Sequence, residues 1–399
     1  MPLQSGTTSY TPWGAFFNGN PCVVNFAGTA LPAGYEYLAK VYLVNGFSGS
    51  ISGEPFAILT GRANAEGTVK VYLSGLFDNA PQLSPAPPLF KELNIALSDN
   101  HVRFIKIKFG LYYQGELQGS ESTTAAYPIF YGGIDPYDFL KVGQGFFEQY
   151  YFDTKAWLTW QPDNKVIDPY QHEYLYYFNN LSPQPSSLRL WINVTYTDGT
   201  KYEYNPLSVS SPVELGVYAI PVGFANLGMD SLPKYVASYT VTLTDQNGQV
   251  LAATRTYRMD YKPYANPVYL LYRNSLGGYD TLRTIGDDVE TFKSSYESAD
   301  VSLPSNYTYR TRERIETKAS GYTELQIPTG YLPPQWLKYL KEIQLSRDIY
   351  RITNDSYVGL SHLDSGELET YNKGKREEYA LLKLRHQYTE NYHSRLTTV

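Results

Sequence analysis

The clearest structural signal in the sequence is residues 188–204, LRLWINVTYTDGTKYEY. Every second side chain in its first half is apolar, as on one face of a β-strand: Leu188, Leu190, Ile192, Val194 and Tyr196. Asp198-Gly199 then supplies a turn in which both residues tolerate a positive φ, and residues 201–204 run back. The stretch therefore predicts a β-hairpin with one buried face.

The same pattern extends along the chain in both directions. Downstream, alternating apolar positions at 239–243 lead to the turn Asn247-Gly248 and to a returning strand over 250–259. Upstream, alternation predicts three further strands: 35–43, 69–73 and 103–111. Closely spaced hairpins are typical of immunoglobulin-like or fibronectin-like sandwiches, although the Cys…Trp…Cys signature of antibody domains is missing here.

The composition also favours an all-β chain. The 399 residues include 40 Tyr but only 17 Phe and 3 Met, so Tyr rings must supply much of the buried area. A Tyr ring buries apolar surface and keeps a hydroxyl group that needs a partner or water, which suits half-buried sheet faces and subunit interfaces. We therefore predict a mainly β fold of two or three tandem β-sandwich modules, of immunoglobulin or fibronectin type.

A chain of this length is too long for one ordinary core. We predict an N-terminal β-sandwich-like domain over 1–115, a connecting region over 116–145, a second, fibronectin-like sandwich over 146–264 and a C-terminal mixed β domain over 265–399.

One helix is expected in the C-terminal domain, at about 333–346. Two prolines suit its first turn, and an apolar stripe follows at helical spacing: Trp336, Tyr339, Leu340 and Ile343. Further on, residues 379–388 alternate as a strand would, although three of their apolar positions also fit a helix; we predict a strand.

Charge and cysteine content exclude several classes of protein. The formal net charge of −6 gives no positive field to attract a phosphate backbone, so nucleic acid is not an expected partner. Cys22 is the only cysteine, which excludes an intrachain disulfide, and we expect a small buried thiol. The first residues lack the pattern of a signal peptide, and no apolar window is long enough for a membrane helix. We expect a chain that is made and kept soluble in the cytoplasm, without membrane insertion.

No catalytic constellation stands out in the sequence. The five histidines have no metal-ligand spacing, and His172-Glu173 lacks a second spaced ligand. Asp135 and Asp138 are the residue types of a glycosidase pair, but Asp135-Pro136 is also a common turn opener. We predict no enzymatic activity, no metal and no cofactor. A β-rich glycan hydrolase would need a convergent carboxylate pair in a cleft.

Two aromatic clusters, 145–152 (GFFEQYYF) and 173–178 (EYLYYF), admit two interpretations. They fit sugar-stacking platforms, and they fit strands that are buried on both faces or packed against a neighbouring subunit. Consecutive aromatic residues lie on both faces of a strand, so we favour a role in packing and assembly over sugar binding.

Four stretches have a recognisable pattern: 35–78, ending in Gly75-Leu76-Phe77-Asp78; 171–180 (QHEYLYYFNN); 220–227 (IPVGFANL) with the Asn247-Gly248 hairpin; and 269–282 (YLLYRNSLGGYDTL). These stretches resemble tail and baseplate structural proteins of bacteriophages and prophages of the Bacteroidota. The helix with Trp336 and the following 346–350 (SRDIY) also resemble that family. Two departures stand out: 75–78 is degenerate, and Phe224 replaces the family's proline.

The resemblance implies a non-enzymatic structural component of a phage tail or baseplate, located in the virion. Such a chain assembles into a ring with copies of itself and with other tail proteins. The main alternative is a carbohydrate-binding adhesin or receptor-binding protein, for which glycans are the partner.

The residues singled out for an interface or structural-loop role are Asn274, Gly277, Gly278, Tyr279, Asp280, Trp336, Tyr174, Tyr176 and Tyr177. In the loop 274–280 the paired glycines permit a positive φ or a close backbone approach, and the flanking Asn and Asp side chains suit a turn. The loop is expected to be either a tight internal turn or a contact with another protein.

Overall fold

The structure is a computed structural model that describes residues 3–5, 8–12, 15–29, 31, 33–78, 80, 83–354, 356–363 and 378–389. Strands make up 47% of it and helices 10%, which confirms the predicted all-β, sandwich-type fold. The chain forms two compact units: unit 1 contains Met1–Asp260 and Asn274–Tyr279, and unit 2 contains Tyr261–Arg273 and Asp280–Val399. The division into three domains stays a prediction.

In chain order the strands are β1 (Leu3–Ser5), β2 (Thr8–Pro12), β3 (Phe16–Phe17), β4 (Val23–Ala27), β5 (Tyr35–Val44), β6 (Ala57–Gly61), β7 (Thr68–Tyr72), β8 (Ala96–Ser98), β9 (Val102–Tyr113), β10 (Glu116–Thr123), β11 (Tyr127–Phe130), β12 (Lys165–Ile167), β13 (Tyr174–Phe178), β14 (Leu181–Ser182), β15 (Ser187–Tyr196), β16 (Lys201–Ser210), β17 (Val217–Pro221), β18 (Val236–Thr244), β19 (Arg255–Met259), β20 (Val268–Arg273), β21 (Tyr279–Thr284), β22 (Val289–Asp300), β23 (Arg314–Leu332), β24 (Ile349–Ile352), β25 (Tyr357–His362) and β26 (Glu378–His386). The helices are α1 (Pro136–Val142), α2 (Phe152–Thr154), α3 (Pro334–Tyr339) and α4 (Lys341–Leu345), with short 3₁₀ turns at Gly143–Gly145 and Met229–Ser231 and a π-helical segment at Phe146–Tyr151.

The predicted hairpin at 188–204 is confirmed as the β15–β16 pair, and its apolar side chains from Leu188 to Val194 are fully buried. It belongs to a five-stranded sheet with the order β12-β19-β18-β15-β16. The inner face of that sheet shares one core with the sheet β13-β17-β8, as Leu190 and Ile220 illustrate. At about 1.5–3 kcal/mol for each buried aliphatic or aromatic side chain, this core is a major source of stability in unit 1.

A second core lies further towards the N-terminus in unit 1. Here the sheet β3-β11-β9-β5-β6, which also carries β10 on β9, packs its inner face with the pair β4-β7. Val41 and Ile107 contribute from the large sheet, and Val71 contributes from the small one. Cys22 is buried in the same core, as expected, and burial raises the pKa of its thiol to about 12.

Unit 2 is built on a seven-stranded sheet with the order β21-β20-β24-β25-β26-β23-β22. The helical region predicted at 333–346 is present, but it consists of two short helices, α3 and α4, that meet at Leu340. Trp336, Leu340 and Ile343 of the predicted stripe are buried, and the helices contact β26 and β20. The strand predicted over 379–388 is confirmed as β26.

The segment 136–154 is helical, which corrects the interpretation of 145–152 as a strand or an exposed sugar platform. Its aromatic residues follow the helical spacing i, i+1, i+4, i+5, so one side of the helix is aromatic: Phe146, Phe147, Tyr150 and Tyr151. Asp135 caps the start of α1, where its carboxylate accepts a hydrogen bond from the Tyr137 backbone N–H at 2.8 Å. None of the helices in the described residues has the length and apolar character that crossing a bilayer requires.

Candidate functional site

The strand pair β22–β23 in unit 2 extends beyond the sheet in which it begins. β23 pairs with β26 only from Glu324 to Leu332, whereas it pairs with β22 from Gln326 back to Arg314. In the described structure, residues 314–323 therefore have β22 as their one strand partner. At about 3.3 Å per residue this portion is roughly 33 Å long. We call residues 291–323 the β-ribbon.

One face of the β-ribbon is apolar and continues the core face of the sheet. Phe292 is paired with Thr323 and Tyr296 with Ala319, which places these side chains on the same face as Leu325, a fully buried core residue. Phe292 and Tyr296 are nevertheless 58% and 60% exposed. The face that forms the core near β26 thus runs on, uncovered, along the ribbon.

A glycine keeps this aromatic face flat. Gly321 lies diagonally opposite Phe292, and the Phe292 ring covers it so closely that a Cβ at this position would collide with the ring. Ser294 is the residue paired with Gly321. Small residues between the two rings leave a shallow surface against which another chain can pack.

The opposite face of the β-ribbon is charged. Lys293 lies 3.5 Å from the Glu324 carboxylate, and Lys318 lies 3.2 Å from the Glu297 carboxylate on the paired strand. The Lys318–Glu297 pair is exposed and adds little stability, whereas Lys293 is half exposed and its partner Glu324 is buried. The exposed charged groups keep this face hydrated. The ribbon is therefore amphipathic in cross-section.

The tip of the β-ribbon presents tyrosine and arginine side chains. Tyr307 is 64% exposed and Tyr309 is fully exposed. Residues 305–314 contain three arginines and one glutamate, whereas the whole chain has a net charge of −6. Tyr and Arg are the residue types that most often dominate the binding energy of protein interfaces.

Among the described residues, no strand pairs with the outer edge of β22. β22 is the last strand of the seven-stranded sheet and is 12 residues long. An edge strand of this length presents a row of backbone N–H and C=O groups to which a further strand can add. The β-ribbon thus combines an open edge, an apolar face and a basic tip.

The β-ribbon is not among the features predicted from the sequence. A usable signal was present over 291–297 (TFKSSYE), where aromatic residues alternate with charged ones. The alternation predicts an amphipathic strand, but it does not show that the apolar side chains of that strand stay exposed in the folded chain.

The predicted tyrosines of β13 lie in the interior. Tyr174, Tyr176 and Tyr177 are at most 2% exposed, and all of β13 is buried on both faces. Tyr176 packs against His101, with ring centroids 5.6 Å apart. The interpretation of 173–178 as a strand buried on two sides is therefore confirmed, and these rings offer no surface to a sugar.

The loop Asn274–Tyr279 is held inside unit 1 by specific hydrogen bonds. The Asn274 side chain donates to the Leu158 carbonyl at 2.9 Å and accepts from the Leu276 backbone N–H at 3.0 Å. Tyr279 donates its hydroxyl to the Pro85 carbonyl at 3.0 Å. Gly277 has a φ of +85°, as its position in a tight turn requires. The predicted positive φ is confirmed, and the loop is buried within its own chain.

The remaining predicted residues belong to a buried cluster in unit 2. Tyr339 donates its hydroxyl to the Asp280 carboxylate at 2.5 Å and accepts from the Tyr272 hydroxyl at 2.6 Å. The Trp336 ring packs edge-on against Tyr339, with centroids 5.6 Å apart. Burial raises the pKa of Tyr339 well above its usual value, so its hydroxyl stays neutral and continues to donate.

Near His172-Glu173 the structure shows an ion pair that the sequence analysis missed. Lys165 Nζ lies 2.8 and 2.7 Å from the two carboxylate oxygens of Glu173, and both side chains are almost fully buried. Gln171 donates a further hydrogen bond to this carboxylate at 3.0 Å. Burial, assisted by the Lys91 charge, lowers the pKa of His172. Lys165 lies in β12 and Glu173 immediately before β13, eight residues further on, so no local spacing pointed to the pair.

The two aspartates considered as a glycosidase pair have local partners in α1. Asp135 caps the helix, and Asp138 forms an exposed ion pair with Lys141 at 2.6 Å.

Comparisons with known proteins do not assign the chain to a family. No protein-family model matches it, and no curated protein matches its sequence. Among solved structures, the extracellular domains 3–5 of Drosophila OTK are similar at 12% identity and a TM-score of 0.21, with 79% of this chain and 90% of that chain covered. Dimeric latent PorU from Porphyromonas gingivalis is similar at 12% identity and a TM-score of 0.21, with 87% of this chain and 32% of that chain covered. Similarity this weak carries no functional argument.

Proposed function

We propose that this chain is a non-enzymatic structural component of a phage tail or baseplate, which acts by assembling with copies of itself and with other tail proteins. The observation that carries the proposal is the β-ribbon, whose apolar face continues the core of unit 2 without cover. Exposed apolar surface of this kind marks sites of association. The resemblance of the four sequence stretches to tail and baseplate proteins supports a role in the tail or baseplate and a location in the virion.

The size of the β-ribbon limits the kind of assembly that it can support. A two-stranded ribbon is roughly 10 Å wide, so its 33 Å length gives an apolar face of about 300 Å². A stable interface buries about 800 Å² on each partner. One ribbon face is therefore too small by itself, and the edge and the tip must contribute as well. In a closed ring each copy makes the same contact with two neighbours, so the area buried on each copy is twice that of a single contact.

Charge favours a second copy of this chain as the immediate partner. The tip of the β-ribbon carries a local excess of arginine, whereas the rest of the chain has an excess of acidic residues. Contact between the tip of one copy and the body of the next is heterologous, and such contacts generate rings or filaments.

The carbohydrate-binding alternative rested on the two aromatic clusters. The rings of 173–178 are buried, and in 146–151 the buried rings are Phe146, Phe147 and Tyr151. Those clusters therefore do not favour the alternative over the structural role.

The proposal is tested by removing the outer part of the β-ribbon, residues 296–319, without disturbing the sheet. Ser295 and Ser320 are directly paired, so residues 296–319 can be replaced by Asn-Gly, which closes a two-residue hairpin between them. A second variant, Phe292→Ser with Tyr296→Ser, removes only the aromatic face. Its matched control, Tyr137→Ser with Tyr170→Ser, removes two rings elsewhere that are even more exposed, at 77% and 79%.

Sedimentation velocity over a wide concentration range gives the oligomeric state of each protein, with circular dichroism as a check of folding. We expect closed oligomers from the wild-type chain and from the control, and folded monomers from both ribbon variants. A wild-type chain that remains monomeric, or a ribbon-deleted chain that assembles normally, would contradict the assembly role. Antibody labelling of virus particles from the host tests the location, and label that is absent from particle tails would contradict the phage assignment.

A further inference from the structure

Unit 1 has a surface depression of about 440 Å³ beside the helical segment at 143–151. Three aromatic and three polar side chains line it: Phe16, Phe47, Tyr127, Gln144, Glu148 and Gln149. Its volume lies in the range of sites that hold small molecules. None of its lining residues belongs to the β-ribbon. Glu148 and Gln149 are the polar residues of the cluster 145–152, whose aromatic rings do not line the depression.

The aromatic walls of the depression are fixed by the sheet. Phe16 lies in β3, which pairs in parallel with β11, the strand that carries Tyr127. Their ring centroids are 5.9 Å apart with an interplanar angle of 56°. Both rings are half-buried, as is Phe47 on the connection between β5 and β6. Rings in a paired strand need no reordering to receive a ligand, which reduces the entropic cost of binding.

The polar side chains come from the helical segment and are available for a ligand. In the described part of the chain, the side chains of Glu148 and Gln149 make no hydrogen bond or ion pair. Gln144 donates through Nε2 to the Pro21 carbonyl at 3.3 Å, which leaves its Oε1 as an acceptor. Burial raises the pKa of Tyr127, so its hydroxyl is a neutral donor.

We propose that this depression binds a neutral pyranose sugar. The C–H face of a pyranose packs on an aromatic ring, a carboxylate accepts hydrogen bonds from sugar hydroxyls, and amides both donate and accept. The lining has one carboxylate and no cationic side chain, so an anionic sugar is disfavoured. A cationic ligand suits three rings and a carboxylate as well, but the two amides and the open, wide shape favour a ligand rich in hydroxyls.

Saturation-transfer NMR on the full chain tests the site with defined probes. The neutral probes are the methyl glycosides of glucose, galactose, mannose and N-acetylglucosamine; sialic acid is the anionic probe and choline is the cationic probe. The variants are Glu148→Gln and Phe47→Ala, and Glu116→Gln is the control, because Glu116 is an exposed carboxylate at the start of β10. Glu148 is itself exposed, so its substitution does not threaten folding.

We expect at least one neutral glycoside to bind with a Kd of about 1 mM, as is reasonable for a single-sugar contact. Glu148→Gln and Phe47→Ala should each weaken binding about tenfold or more, and Glu116→Gln should leave it unchanged. The proposal is overturned if no neutral glycoside binds, if only choline or sialic acid binds, or if binding is the same in all variants. Oligomer formation is measured separately, so these outcomes do not depend on the assembly role.

Discussion

Replacing Lys165 by Met should lower the free energy of unfolding of unit 1 by about 3–5 kcal/mol. The Lys165 and Glu173 side chains are only 4% and 0% exposed, and the ammonium contacts both carboxylate oxygens at 2.8 Å or less. Without the ammonium, the Glu173 carboxylate must remain buried without its counter-charge or take up a proton. Either state costs free energy, because water cannot reach the group to solvate it.

The double variant Lys165→Met with Glu173→Leu separates the cost of breaking the pair from its net contribution. A buried ion pair that is replaced as a whole by apolar side chains is often neutral or more stable, because the desolvation cost of both charges disappears. We therefore expect the double variant to recover most of the stability that Lys165→Met loses. The hydrogen bond from Gln171 to the Glu173 carboxylate is lost in this variant, so the recovery should be incomplete.

Urea unfolding followed by tryptophan fluorescence measures these differences, since four of the five tryptophans lie in residues 1–260. The control is Lys234→Met, which breaks an exposed ion pair with Asp198 at 2.7 Å, with both side chains nearly half exposed. Its effect should be much smaller, because solvent screens the pair. A cost of Lys165→Met no larger than that of Lys234→Met would refute this account, as would a double variant that recovers none of the stability that Lys165→Met loses.

Two further predictions follow from the backbone and from buried phenols. Gly277→Ala should lower the free energy of unfolding by about 1–3 kcal/mol more than Gly248→Ala does, as measured by urea unfolding. Both glycines have a φ above +80°, but only a Cβ at 277 meets a backbone atom, the Tyr131 carbonyl oxygen at 2.7 Å. Equal losses would show that the loop relaxes freely. Burial raises the pKa of Tyr204 to about 12 and also raises the pKa of Tyr151 and Tyr239, whereas unfolded tyrosine ionises near pH 10. The folded state therefore binds more protons than the unfolded state above pH 10, and stability present below pH 10 should fall as the pH rises towards 12. Urea midpoints that do not change between about pH 8 and about pH 11 would contradict this.

Local periodicity predicted much of the secondary structure. The hairpin at 188–204, the strand at 379–388 and the helical region at 333–346 each follow from residue spacing within one element. The segment 146–151 was misassigned because consecutive aromatic residues fit a buried strand as well as a helix. The polar residues at 148–149 fit a helical period, but six residues are too few to distinguish a helix from a strand.

Contacts between distant residues could not be predicted in the same way. Lys165 and Glu173 pair because β12 and β13 bring them together, and Asn274 reaches the Leu158 carbonyl across more than 100 residues. The sequence predicted a turn at 274–280, but the burial of that turn depends on residues that are distant in the sequence.

The sequence alone determined that this chain forms strands with one apolar face, since the alternation of side chains is a property of neighbouring residues. Whether such a face is covered was decided only by the tertiary structure. Leu325 and Phe292 lie on the same face of the β22–β23 pair, yet the first is fully buried and the second is 58% exposed. The difference arises because β26 and the core of unit 2 end where the β-ribbon continues, and that end is set by residues far away in the sequence.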